Sequence, residues 1–129
     1  MLTDEEKYFF GVTARGASNL SSCPIKRGAV LIRGHKILSF GYNRKIIPTK
    51  DWETSAVFDA IFSARDVDLS GAFIFSTHFP DLEDVKLIIS TGITYIYFFG
   101  DVPGMGDPVV ELLNSLNSES ILLEIRQLD

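Results

Sequence analysis

Apolar residues recur along the chain with two different periods, and the switches between them mark out its elements. From Thr3 to about residue 17 the spacing is helical: Thr3 is a good N-cap with Glu6 three positions on, and Tyr8, Phe9 and Val12 share a face. "GASNLSSCP" breaks that pattern. "GAVLI", Gly28 to Ile32, reads as a strand, "RGHK" as a tight turn and "ILSFGYN" as the return strand of a hairpin. After the loop "RKIIPTKDWE", Thr54 or Ser55 caps a helix running to about Arg65, with Val57, Ile61 and Ala64 as its buried stripe.

The second half alternates in the same way. "GAFIFST", Gly71 to Thr77, is a buried strand; Pro80 opens a helix with acids in its first turn, and Gly92 closes it. "ITYIYFFG" is the next strand, "DPVVELLNSLN" a helix and "SILLEIRQL" the last strand. Strands alternating with helices after an initial hairpin imply a mixed, mostly parallel sheet of five strands with helices on both faces. The expected fold is an α/β class, three-layer α/β/α sandwich, with residues 1–129 forming one domain.

Composition narrows the function more than the fold. The chain has 129 residues, 46% hydrophobic, enough for one core. Twelve Lys and Arg against 17 Asp and Glu leave a net charge of −5, so extended nucleic acid is not an expected partner. No apolar run approaches the ~18 residues of a membrane span, and "MLTDEEKYFF" lacks the order of a secretory signal, so a cytoplasmic location without membrane contact is expected. Cys23, the single cysteine, cannot form an internal disulfide and reads as a small buried hydrophobe. One cysteine and two histidines are too few for the usual zinc cages.

Several segments together resemble a known family. "SSCPIKRGAVLIRGHKILSFGYNR", "SAVFDAIFSA", "LSGAFIFST", "FPDLEDVKLIISTGI" and "TYIYFF" are similar, in order and spacing, to the cytidine and deoxycytidylate deaminases, and most to the deoxycytidylate branch. The resemblance covers nearly the whole chain and implies a cytidine-deaminase-like fold. In that family a histidine and two cysteines hold zinc and a glutamate shuttles the proton, in the patterns HxE and PCxxC. Here those four positions fall on Ser55, Val57, Asp81 and Asp84, although Ala56 and Pro80 still match.

The substitutions have a direct chemical consequence. Carboxylates and hydroxyls are hard ligands suited to Mg²⁺, Mn²⁺ or Ca²⁺ rather than zinc. Val57 has no proton to move, and loss of a general acid or base forfeits about 10²- to 10⁴-fold in rate. The sequence therefore implies no catalytic residue, no metal and no cofactor at these places. A buried valine there favours a dry, packed core.

Other side chains carry two readings each. Asp81, Glu83 and Asp84 form either a hard-metal site, with His78 as a further ligand, or ordinary first-turn dipole partners. The family's matching asparagine bonds the nucleotide sugar, which the resemblance carries to Asn43; an Asx-turn is the alternative. Arg44, Lys45, Lys50 and Lys26 make a local basic patch able to receive a phosphate or an acidic partner surface. Trp52 either stacks on a base or covers the core or an interface. His35 reads as a solvated turn residue.

The favoured reading is a zinc-free pseudoenzyme acting as an oligomeric assembly or regulatory module, paired with itself or with another protein. The resemblance implies dimers to hexamers, and "VFDAIF" and "YFFGV" offer apolar contact surface. The alternatives are a pyrimidine-nucleotide sensor using Asn43, Arg44, Trp52 and His78, or a hard-metal enzyme built from Asp81, Asp84 and His78.

Overall fold

The computed structural model describes residues 2–47, 49–50, 52–119, 121 and 123–128. Helix α1 spans Asp4–Ser18, and strands β1 (Gly28–Arg33) and β2 (Lys36–Tyr42) form the hairpin. Two short strands, β3 (Arg44–Lys45) and β4 (Glu53–Thr54), pair with each other inside the segment read as loop. There follow α2 (Ala56–Ser63), β5 (Phe73–Ser76), α3 (Leu82–Thr91), β6 (Tyr95–Phe99), α4 (Pro108–Ser118) and β7 (Glu124–Leu128). Pro48 and Asp51 of the loop, and Ser120 and Leu122 of the expected last strand, lie outside the described residues.

Five strands form one sheet in the order β2-β1-β5-β6-β7. The expected mixed sheet is present, but it is not mostly parallel. β1 pairs antiparallel with both β2 and β5, and only β5–β6 and β6–β7 are parallel. The reason is topological: the return from the hairpin through α2 brings β5 in beside β1 running the opposite way, and only the later helical crossovers keep direction.

The core lies on both faces of this sheet. On one side α2 and α3 cover Ala29, Leu31, Ile74 and Ile96; the α2 stripe of Val57, Ile61 and Ala64 is buried there as expected. On the other, Phe10 and Ala14 of α1 pack on Val30, Ile32, Phe75 and Tyr97. α1 starts in the expected capping box, Thr3 Oγ1 accepting from the Glu6 N–H at 3.1 Å and the Thr3 N–H donating to Glu6 Oε1 at 3.0 Å. Its buried face is a different one from that read in the sequence. Phe10, Gly11, Ala14 and Ala17 point inward, and Tyr8, Phe9 and Val12 are exposed. Small residues win the inner face because the helix lies so close to β1 that a Cβ on Gly28 would meet Ser18 N at 2.5 Å.

β2 is held equally close to α2. A Cβ on Gly41 would sit 2.5 Å from the Ala56 carbonyl oxygen and 2.9 Å from Ala60 Cα, and Ser39 Oγ donates to the Ala60 carbonyl at 2.6 Å. This contact sets where the amino end of α2 lies. Among the described residues no helix is long and apolar enough to cross a membrane.

Two outcomes are expected. Gly41→Ala forces backbone apart and costs about 1–3 kcal/mol or more in denaturant unfolding; an unchanged midpoint would show that β2 and α2 can separate freely. The Glu6 carboxyl is held below its ordinary range, first by the Thr3 backbone N–H and then by His35. A lowered folded-state value adds stability above the ordinary carboxylate range that is lost as pH falls through the folded value. The melting-temperature gap between the unaltered chain and Glu6→Gln should be largest above the ordinary carboxylate range and shrink as pH falls from that range through the lower folded value.

Candidate functional site

Two helix amino ends, those of α2 and α3, open toward each other, and their capping residues build the site. Ser55 caps α2, its Oγ accepting from the Phe58 N–H at 2.9 Å; Asp81 caps α3, its Oδ1 accepting from the Asp84 N–H at 2.8 Å. Ser and Asp at these positions are what unsatisfied first-turn N–H groups select. The two ends are then tied directly, because Ser55 Oγ donates to Asp84 Oδ1 at 2.6 Å. Val57, two residues past the cap, is fully buried against the sheet, and Pro80 is fully buried as well.

Asp84 is 3% exposed, and its Oδ2 has no hydrogen-bond partner among the described residues. His78 Nε2 stands 3.9 Å away, near enough for attraction but too far for a hydrogen bond. The other ring nitrogen, Nδ1, lies 3.1 Å from Ser76 Oγ, which also accepts from the His78 N–H at 3.3 Å. The structure thus brings together Ser55, Asp81, Asp84 and His78, and adds Ser76. A cavity of about 400 Å³ adjoins them, lined by Glu53, Asp81, Glu83 and Asp84 between the apolar walls of Ile46, Phe58 and Leu87. Four carboxylates on one cavity oppose an anionic ligand.

These donors do not fit zinc. Ser55 Oγ and one oxygen of each aspartate are already committed to caps and to the Ser55–Asp84 bond, and Val57 offers nothing. Nor does the site suit the hard-metal alternative: among the described residues no group of three or more His, Cys, Asp or Glu is placed to hold a metal.

Asn43 is buried and organises the loops around it. Its Nδ2 donates to the Ile25 carbonyl at 2.7 Å and to Glu53 Oε1 at 3.0 Å, its Oδ1 accepts from the Arg27 N–H at 2.9 Å, and its own carbonyl accepts from Ser21 Oγ at 2.8 Å. Cys23 is buried beside it, Sγ 3.7 Å from the same carbonyl. A cavity of about 450 Å³ adjoins Asn43, bordered by Pro24, Ile25, Arg27 and Glu53.

The expected basic patch is only partly available. Arg44 is ion-paired with buried Asp59, whose Oδ2 also accepts the Tyr42 N–H at 3.1 Å, so its charge is engaged with α2. Lys26 and Lys50 are exposed, while Lys45 has a partner of its own. Trp52 is 68% exposed, so it does not serve as a core residue. His35 is exposed but its Nδ1 meets the Glu6 carboxylate rather than being merely solvated.

Sequence reasoning missed Glu53 and Asp59. Asp59 had a signal, a lone acid inside the apolar "VFDAIF" run, which demands a buried partner. Glu53 had none, since its contact with Asn43 depends on the β3–β4 pairing.

No family model and no curated protein matches the chain. Solved structures do. The chain is similar to the dCMP deaminase of the cyanophage S-TIM5 in apo form, with a TM-score of 0.81 and 20% identity over 98% of this chain and all of that one. The same phage enzyme in complex with dCMP and dUMP gives 0.79 and 20% over 99% of this chain and all of that one. The diaminohydroxyphosphoribosylaminopyrimidine deaminase/5-amino-6-(5-phosphoribosylamino)uracil reductase of Thermotoga maritima gives 0.71 and 22%, covering 95% of this chain and 36% of that one. At such identities the likeness establishes the fold, which is cytidine-deaminase-like.

Replacing Asp84 separates charge from hydrogen bonding at the joint between the helices. Asp84→Asn keeps an acceptor for Ser55 and removes a buried charge, so unfolding should change by less than about 1 kcal/mol; Asp84→Ala strands the Ser55 hydroxyl and should cost about 1–3 kcal/mol. Equal losses in both variants would mean that the charge itself holds the joint.

Proposed function

We propose that this chain is a deaminase-fold protein without hydrolytic deaminase activity, serving as an oligomeric assembly or regulatory module in a nucleotide-related process. The observation that carries this reading is the Ser55–Asp84 hydrogen bond joining the two helix ends, with Val57 buried beside it. By resemblance, those are the places where the family keeps its metal and its proton-shuttling glutamate. A direct bond between the caps occupies the groups a metal would need, and a buried valine can neither take nor give a proton.

Exposed aromatics support the assembly role. Phe58 and Phe62 stand on α2 with their rings 5.8 Å apart, 46% and 44% exposed, beside an apolar cavity of about 560 Å³ that includes Ile61, Leu69 and Leu87. Tyr8, Phe9 and Val12 form a second exposed apolar strip on α1. Such surface is ordinarily covered by a partner, and the favoured partner is a second copy of this chain.

A nucleotide-sensing role is the second reading. The cavity beside Asn43 and Arg27 favours it, as does the dCMP and dUMP complex of the similar phage enzyme. Against it stand the internal bonds that already occupy the Asn43 side chain.

Sedimentation of the purified chain, with metal analysis and a dCMP deamination assay, tests the proposal. The expected result is an oligomer at micromolar concentration that Phe58→Ser with Phe62→Ser dissociates, no stoichiometric zinc and no dUMP formed. Stoichiometric zinc with turnover would overturn the inactive reading, and a monomer would overturn the assembly role. A rise in melting temperature with dCMP or dUMP would transfer support to the sensor.

A further inference from the structure

We propose that the cavity between α1 and the carboxyl ends of β6 and β7 is a binding site for a small organic anion: a carboxylate or phosphate ester on a planar apolar body. The cavity holds about 240 Å³ and lies on the α1 side of the sheet, away from the joint between α2 and α3. Phe99 and Leu128, the final residues of β6 and β7, are register partners at its floor.

The lining charge points to an anion. Arg15 and Lys7 both face the cavity, and Asp4 is the one carboxylate among its described lining residues, so these residues together carry positive charge in a chain whose net charge is −5. Neither cation has an ion-pair partner among the described residues, whereas Arg33, Arg44, Lys86 and Arg126 are each paired with a carboxylate. Arg15 and Lys7 meet aromatic rings instead: the Arg15 guanidinium carbon is 3.8 Å from the centre of the Phe99 ring, and Lys7 Nζ is 5.7 Å from that of Tyr97. A guanidinium held on a ring keeps its N–H donors at its edge, where they match the paired oxygens of a carboxylate or phosphate.

The packing of α1 holds this geometry in place. A Cβ on Gly11 would come within 2.8 Å of Phe99 Cζ, so a glycine, unfavourable inside a helix, is what admits the ring that carries Arg15. The rim is fixed by Gln127, whose Nε2 donates to the Gly100 carbonyl at 2.6 Å. Size sets the class of ligand. A cavity of about 150 Å³ accepts a benzene ring, so the observed volume takes a single ring with an anionic head, the ring meeting Phe99 and Val12 and the head meeting Arg15 and Lys7.

Phenyl phosphate and 4-hydroxybenzoate are the probes, with inorganic phosphate and phenol as arms lacking body or charge, and binding is followed by NMR of the labelled chain. We expect saturable shifts of the Arg15 Nε–H, the Phe99 ring and the Gln127 side-chain amide with the two organic anions. Arg15→Gln and Lys7→Gln should each raise Kd by about tenfold or more with the melting temperature unchanged. The proposal is overturned if neither organic anion shifts these signals at millimolar concentration, or if the double variant binds as tightly as the unaltered chain. Inorganic phosphate binding as tightly as phenyl phosphate would remove the requirement for an apolar body, and phenol binding as tightly would remove the requirement for charge.

Discussion

Two helices ending at one place set a demand that the rest of the α2/α3 side must meet. Each amino end leaves N–H groups unsatisfied and carries about half a positive charge from the aligned peptide dipoles. Thiolates on a metal can meet that demand, because they bring the negative charge that makes a cation tolerable between two positive helix ends. Here Asp81 and Asp84 bring the charge and Ser55 supplies the bridging proton, so the joint is closed by one hydroxyl and two carboxylates. A buried carboxylate with one bare oxygen is tolerable at this point and at few others in the core, since both dipoles favour it.

What the chain revealed before folding was the part decided by near neighbours. The caps at Thr3 and Ser55, the left-handed Gly92 at the end of α3 and the stripe Val57, Ile61 and Ala64 all depend on residues within a turn or two, and they are where the pattern puts them; the start of α3 is not, since the helix begins at Leu82 with Asp81 as its cap and Pro80 lies just outside it. The inner face of α1 is not legible in "YFFGV", which offers apolar residues on more than one side; the deciding factor, the closeness of β1 to the helix backbone, lies in Gly28, far away in sequence. The same holds at the site. Ser55 and Asp84 are 29 positions apart, and Arg44 and Asp59 are 15 apart, so nothing local announced either pair. The antiparallel placement of β5 beside β1 was equally invisible, since periodicity fixes which residues are buried in a strand and not which way its neighbour runs.

Charge is sorted by place in a manner the net value hides. The carboxylates of Glu53, Asp81, Glu83 and Asp84 gather at one cavity on the α2/α3 side, while Lys7 and Arg15 look into another on the α1 side. Since the Debye length in physiological salt is about 8 Å, each region acts on a ligand through its own lining, and the overall −5 has little say in either.

The strand order also fixes a sequence of assembly. α1, β1 and β2 are contiguous along the chain and pack on one another, so they close short loops and form a unit with low contact order. β5 then adds to β1, β6 to β5 and β7 to β6, each strand extending an edge that the preceding one has just created. A chain emerging from the ribosome amino end first can therefore build its sheet outward in the order of synthesis after the hairpin. No finished part of the sheet has to reopen to admit a later strand.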